Sequence, residues 1–410
     1  KTDTPIDEIG RELGVDYVLE GGAQREGNRV RITAQLIKVR DQTQLWAESF
    51  DREVSSILTI QSEVAEKVAG ALAVKLLPAE LARLARTRTI SPEAYEAYLK
   101  GSQHWIKMTP GDLDTAQRYF ELALQKDPNY AAAYTGIAWV WMVRNQMLSS
   151  PLSEAVPKAK EAALKAVELD ENLAESHYAL AAVYTWHDWN LSEAGLEWKR
   201  AFDLNPNYPD GLAMYSHFLM IRGRPDEAMA MIKRALDLDP FNVTIQVFFA
   251  ADLLLARRVE EAIVECNKAL AMQPGNPVAL ATLLFAYEAK GMDKETLATM
   301  RDYLRFYEVP DIDAEMDRGL AEGGYRGAMK RAADMLAARA QDYMAQPTDV
   351  AWLSVFAGDN SRALEWLERA YELRDPNLPY LRFPAYDPLR TEPRFQELLR
   401  RMNLEGNGTK

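Results

Sequence analysis

Lys199-Arg200-Ala201-Phe202-Asp203-Leu204-Asn205-Pro206, Lys233-Arg234-Ala235-Leu236-Asp237-Leu238-Asp239-Pro240 and Lys268-Ala269-Leu270-Ala271-Met272-Gln273-Pro274 are three versions of one ending, with prolines 34 residues apart at 206, 240 and 274. Earlier copies end at Asp127-Pro128 and Asp170-Glu171. Five residues before each ending stands a small side chain (Ala123, Ala166, Ala201, Ala235, Ala269), and seven before that another (Ala116, Ala159, Ala194, Ala228, Ala262). Small residues at these places let two helices approach closely. The Asp-Pro endings stop the second helix, because proline has no N–H to donate and pushes its predecessor out of the α region. A unit of two amphipathic helices cannot cover its own apolar faces, so successive units stack and bury one elongated core.

The array resembles the tetratricopeptide repeat over about residues 91–309. That family's large first-helix position is matched by Tyr134, Leu212 and Leu280, and its tyrosine-like position by Trp141, Tyr184, Leu219, Leu253 and Tyr287. Its small first-helix position is held by Gly101, Ala138, Ala181, Ser216 and Ala250. Extra residues around Met108–Gly111, around Met147–Ser153 and near Trp189 are expected to lengthen turns. The resemblance implies a mainly α fold, an α-solenoid of about six repeats with a groove along one side. In the sixth unit Tyr303 stands where the small alanine belongs, so residues 310–410 are expected to be degenerate. The spacing there predicts one long helix over 324–345, a pair at Ala351–Val355 and Ser361–Leu373 with Gly358 in its turn, and a capping helix at Pro393–Met402.

Residues 1–77 follow another period. Arg29-Val30-Arg31-Ile32-Thr33-Ala34-Gln35-Leu36-Ile37 alternates polar and apolar as a half-buried strand does, with neighbours at Tyr17–Leu19 and Gln44–Phe50 and a turn at Arg25–Asn28. Val54, Ile57, Leu58, Val64, Ala65, Val68 and Leu72 recur at helical steps and form a helix that covers the sheet; Pro78 ends it, and residues 78–90 make a linker.

The strings Tyr17–Gly21, Arg29–Leu36 and Leu45–Arg52 resemble the TolB amino-terminal-like (FlgO-like) domain. With Ala94–Gly101 and the closing Asp387-Pro388-Leu389-Arg390 and Pro393-Arg394-Phe395, the whole is similar to the C-terminal half of bacterial signalling proteins. In those proteins this half follows a nucleotide cyclase, a Ser/Thr kinase or a winged-helix regulator, often with a membrane span between. The resemblance implies the regulatory half of such a chain, with tethering to a membrane in its parent and the side of the membrane both left open, and a lean toward the extracytoplasmic one. The family's small domain begins with a further strand–helix–strand segment that this sequence lacks, so one sheet edge is expected to be unpaired and to invite a partner strand or a homodimer.

Composition narrows the rest. The chain has 410 residues, 48% of them apolar, and 48 basic against 61 acidic side chains, a net charge of −13 that repels a phosphate backbone. Nucleic acid is therefore not an expected partner, and no stretch approaches the ~18 apolar residues of a membrane span. The one cysteine, Cys266, lies in a helical pattern and reads as a small buried hydrophobe. Gly22-x-x-x-x-Gly27 opens like a phosphate loop, but Asn28-Arg29 replace the required Lys and Ser/Thr and a strand follows. Asp311, Asp313, Glu315, Asp317 and Glu322 mimic a calcium loop except that Met316 takes the glycine's place, and they suit a helix N-terminus instead. His104, His177, His187 and His217 each stand alone, and Asn190-Leu191-Ser192 and Asn242-Val243-Thr244 lie in repeat turns where Asn is at home. No catalytic residue, metal or cofactor is assigned.

By the repeat resemblance, the groove is lined from the second, fifth, ninth, twelfth and thirteenth places of each first helix. These places give Tyr95, Tyr98, Trp105, Trp139, Met142, Tyr178, Trp186, His217, Met220 and Phe285, an aromatic lining with few charges. Pairs such as Tyr98/Ser102, Thr135/Trp139, Tyr178/Ala182 and Ala213/His217 stand where chaperone-docking members carry Lys and Asn, which excludes a carboxylate clamp. Two readings remain open. An aromatic stripe at helical spacing also suits a core, with the groove filled by insertion-bearing helices or by the N-terminal domain. If open, it suits a hydrophobic peptide, each buried Trp or Tyr contributing on the order of 1.5–3 kcal/mol. The sequence thus points to a non-enzymatic module that binds a protein or peptide, organised as 1–77, linker 78–90, repeats 91–309 and degenerate units 310–410. A structural spacer that self-associates, or the regulatory part of a cyclase or kinase, are its alternatives.

Overall fold

Two-residue alternation builds the first part of the chain and three-to-four-residue periodicity builds the rest. The computed structural model describes residues 5–27, 29–53, 57–72, 90–107, 109–146, 152–307, 309–340 and 345–404. They fall into two units, Lys1–Leu99 with Leu122–Tyr130, and Lys100–Glu121 with Ala131–Lys410. The expected linker at 78–90 lies almost wholly outside the described residues, as does most of the insertion around Met147–Ser153.

In the first unit, β1 (Tyr17–Glu26), β2 (Arg29–Lys38) and β3 (Thr43–Glu53) form an antiparallel sheet in the order β1-β2-β3. The register sets Leu19 opposite Leu36, Leu36 opposite Trp46 and Ile32 opposite Phe50, so these residues share one face. Helix α2 (Ile57–Ala71) lies on part of that face, where Ile60 and Val64 pack with Val30, Ile32, Trp46 and Phe50. Leu19 on β1 stays 53% exposed, and among the described residues no strand pairs with the outer edge of β1. A short helix, α1 (Ile6–Leu13), precedes the sheet and closes on Gly14 at φ 65°. The sequence reading passed over α1, although Ile6, Ile9 and Leu13 at helical steps followed by a glycine are its signature.

Helices α3 (Pro92–Trp105) and α4 (Pro110–Lys126) begin the array. Five helix pairs follow: α5 (Ala131–Gln146) with α6 (Leu152–Leu169), α7 (Ala174–Trp186) with α8 (Leu191–Leu204), α9 (Pro209–Ile221) with α10 (Pro225–Leu238), α11 (Val243–Leu255) with α12 (Val259–Met272), and α13 (Pro277–Ala289) with α14 (Asp293–Phe306). The fold is thus mainly helical, a stack of tetratricopeptide-like pairs preceded by a small sheet. All ten small residues named from the sequence, Ala116 to Ala269, are fully buried, which is what close helix approach requires. Asn190, Asn242 and Asn276 cap α8, α11 and α13 with their side-chain oxygens, accepting first-turn N–H groups at 3.0–3.3 Å.

Beyond α14 the pairing tightens differently. Helix α15 (Ile312–Arg339) folds back on itself at Gly323 and Gly324, the latter at φ 62°, so the long helix expected from 324 is its second arm, and a first arm that the spacing did not announce precedes it. Its two arms cross at Gly319 and Gly327, whose backbones touch and leave no room for a Cβ. Asp313 and Asp317 of its first arm accept hydrogen bonds from Arg301 and Arg305. Helices α16 (Pro347–Phe356) and α17 (Asn360–Glu372) form a further pair, and α18 (Pro393–Arg401) packs on α17. Tyr303, the residue that breaks the repeat, is buried edge-on against Tyr307 and Trp352.

Candidate functional site

Between α17 and α18 runs a segment that the repeat pattern does not account for. Asp375-Pro376-Asn377-Leu378-Pro379-Tyr380-Leu381-Arg382-Phe383-Pro384-Ala385-Tyr386-Asp387-Pro388-Leu389 has prolines too frequent for a helix and apolar residues too many for a loop. It folds as two 3-10 turns, Leu378–Tyr380 and Pro384–Leu389, with Leu378, Leu381, Phe383, Tyr386 and Leu389 buried. We call it the strap.

The strap lies on the face made by the first helices. Trp186 at the end of α7 donates its indole N–H to the Tyr380 hydroxyl at 2.7 Å. His217 of α9 sets its ring 5.3 Å from that of Tyr380, and its Nδ1 is held 2.6 Å from Asp252 Oδ1 on α11. Asp252 also accepts the Ser216 hydroxyl at 2.8 Å and has no solvent exposure. A carboxylate without solvent is costly unless its oxygens are matched, and here both oxygens are. Phe285 of α13 meets Phe383 at 5.5 Å and stands edge-on to Trp352 of α16 at 5.4 Å. Arg257, in the turn between α11 and α12, grips Asp387 with both guanidinium ends, at 2.7 and 2.8 Å.

Trp186, His217 and Phe285 are thus brought together under one polypeptide segment. The filling segment is the C-terminal strap, whereas sequence reasoning named the insertion-bearing helices or the N-terminal domain. The prolines and the strap's lack of helical period were the signal that could have found it. Trp105 and Trp139 lie together at 6.3 Å, half-buried, and among the described residues the Trp105 indole nitrogen has no hydrogen-bond partner. Met142 and Met220 are buried in the stack. Tyr178 is core: its ring fits against Trp198 and Tyr208, Gly211 leaves the space for it, and burial pushes its hydroxyl pKa up. Tyr95 and Tyr98 belong to the first unit, where Tyr95 accepts from Gln61 at 3.1 Å and Tyr98 stands edge-on to Tyr130.

The root of the strap holds two buried carboxyls. Asp375 accepts the backbone N–H and the hydroxyl of Thr348 at 2.9 and 2.8 Å and the Asn377 N–H at 2.9 Å, and burial pushes it up to about 6. Asp349 accepts from the Trp352 indole at 3.1 Å, and burial together with the neighbouring Asp375 charge pushes it up to about 7. Asn377 and Gln346 reach the end of α5 at Gln146.

Among the described residues the other titratable groups bring no reactive constellation together. His104 pairs with Asp112 at 2.7 Å and His177 with Glu197 at 2.5 Å, while burial holds His187 down at about 4. Cys266 is buried and its thiol is pushed up to about 12, far from a reactive thiolate. Among the described residues no three His, Cys, Asp or Glu side chains stand together as metal ligands, and no helix is long and apolar enough to cross a membrane.

A known family model agrees with one unit of the stack. The tetratricopeptide repeat model matches residues 209–242, which are α9, α10 and the turn into α11. A protein named "Putative adenylate cyclase 3" of Rhizobium meliloti (strain 1021) is 33% identical over 192 residues, 45% of this chain and 32% of that one. The transcriptional regulator HilA of Salmonella typhimurium is 26% identical over 231 residues, 55% of this chain and 40% of that one. The chain therefore spans under half the length of these relatives. Among solved structures, a thermophilic tetratricopeptide protein of Thermus thermophilus aligns with a TM-score of 0.38 and 22% identity, over 47% of this chain and 98% of that one.

Proposed function

We propose that this chain is a non-enzymatic interaction module, the regulatory half of a bacterial signalling protein, which binds a protein or peptide on its first-helix face. The observation that carries this reading is that the face already holds a polypeptide, through side chains of three different first helices, Trp186 at the thirteenth place of its helix and His217 and Phe285 at the ninth place of theirs. Stacked pairs are suited to this work because each adds one strip to a continuous surface. The relatives support it too. Parts of this chain are similar to parts of a protein named for cyclase activity and of one named for transcriptional regulation, so the matched stretches fit a role upstream of either output. The first unit is proposed to be a partial TolB amino-terminal-like domain that passes the state of the array to such an output. Nucleotide turnover by this chain is expected to be absent.

The Trp105–Trp139 pair is the part of the face proposed to meet an outside partner. Trp105→Ala and Trp139→Ala together are expected to abolish capture of a partner taken from a peptide library while helicity by circular dichroism is unchanged. Undiminished capture by the folded double variant refutes the reading.

A second reading, self-association, rests on the ten-residue β1 strand whose outer edge is open among the described residues. Light scattering over a concentration series separates the two, because the spacer forms dimers without ligand and dissociates when Leu19→Lys is introduced.

A further inference from the structure

We propose that the face from α7 to α13 recognises a polypeptide carrying Tyr, then Phe three residues on, then Asp four further on, and that residues 380–387 are its occupant in cis. This rests on the reading of the chain as an interaction module and names the partner class of that surface.

Three sockets define the pattern. The first takes the tyrosine: the Trp186 indole N–H meets the hydroxyl at 2.7 Å and the His217 ring, oriented by buried Asp252, meets the aromatic face. A phenylalanine fits the second part of this socket but leaves the indole N–H unmatched in a partly buried place. The second socket is Phe285, which takes Phe383 at 5.5 Å. The third is the Arg257 fork on Asp387, a planar bidentate match for a carboxylate.

Arg257 supplies an independent argument. Trp189, Gly223, Arg257 and Gly291 occupy one repeat place, 34 residues apart, and all four are left-handed, at φ 55°, 72°, 65° and 65°. Glycine adopts that conformation without steric cost, whereas an arginine there is strained. Of the two non-glycine residues at this place, Trp189 turns its indole back on Trp186, and Arg257 grips the strap's carboxylate. Both partners of that fork are about two-fifths to one-half exposed, at 41% and 46%, so the Asp387 end is where an incoming peptide starts to exchange with the strap.

The test uses the full chain and a fluorescein-labelled peptide of residues 376–391, read by anisotropy. The host carries Tyr380→Ala and Asp387→Ala on its own strap, which weakens the cis occupant and leaves the sockets intact. The peptide is expected to bind this host at least 10-fold more tightly than the unmodified chain. Binding is expected to fall at least 10-fold when the peptide carries Ala for its Tyr and Phe, or when Trp186→Ala is added to the host. A folded host that refuses the peptide, or binds the substituted peptide equally well, overturns the proposal. Should the double substitution unfold the host, Asp387→Ala alone replaces it; it removes only partly exposed ion pairs, with Arg257 and Arg390, and the same discrimination between peptides is required of it. If every host refuses the peptide while partner capture still depends on Trp105 and Trp139, the interaction module stands and the Tyr-Phe-Asp pattern falls. If both fail, the module reading falls as well.

Discussion

Trp186 and Tyr380, 194 positions apart in sequence, share a 2.7 Å hydrogen bond from the indole N–H to the phenol oxygen. This contact ties the end of a first helix in the regular array to a segment that has no repeat period at all. Tyr380→Phe removes the acceptor and leaves a buried-side donor unmatched, a loss of about 1–3 kcal/mol. Thermal or urea unfolding is expected to show that loss. Trp186→Phe, which removes the donor as well as ring area, is expected to cost at least as much, and the double variant less than the sum of the two.

Packing behind the face is equally specific. A Cβ at Gly211 would collide with the Tyr178 ring, which is itself buried between Trp198 and Tyr208. Gly211→Ala is expected to destabilise the chain by about 1–3 kcal/mol through overpacking, despite alanine's better helix propensity. A melting temperature equal to or above that of the parent chain would contradict the packing described.

The pH dependence has a definite sign. Asp349 and Asp375 are raised from the ordinary 3.8 to about 7 and about 6, both chiefly by burial. The folded chain therefore holds protons that the unfolded chain releases. The stability these groups supply is fully present below about pH 4 and is lost as pH rises through 6 to 7. For Asp375 this amounts to roughly 3 kcal/mol. Asp349→Asn, which stands in for the protonated acid, is expected to raise the melting temperature at pH 8 and to flatten the decline between pH 5 and pH 8. A parent chain whose stability climbs over that range would show the opposite linkage.

Restoring the array's own turn residue separates strain from grip. Arg257→Gly relieves the left-handed arginine and removes the fork on Asp387. Global stability is expected to change by no more than about 1 kcal/mol, since an exposed ion pair contributes little. Amides of the Pro384–Leu389 turn are nevertheless expected to exchange faster, a local effect visible by mass spectrometry.

Much of this fold was legible in the residues. The alanines from Ala116 to Ala269 and the prolines at 206, 240 and 274 announce paired helices because close approach and helix termination are local, repeated demands. The alternation of Arg29–Ile37 announces the central strand for the same reason. The hairpin inside α15 was not legible, because it turns on a contact between Gly319 and Gly327 that no periodicity records. The candidate site was half legible. Register placed Trp186, His217 and Phe285 on one face, but what covers them comes from far along the chain, and a segment rich in proline carries no helical pattern to reveal its docking place. Asp252 was hidden similarly: a single acid in an apolar helix gains its meaning only from His217 and Ser216 on the neighbouring helix.

The central claim is that the first-helix face holds a polypeptide by side-chain sockets. Hydrogen exchange of residues 376–391 in the intact chain tests it most directly. The account predicts slow exchange across Leu378–Leu389, comparable to that of α9 and α13, and a local loss of protection when Trp186→Ala is introduced. Exchange of that segment at the rate of a free peptide in the parent chain would contradict it.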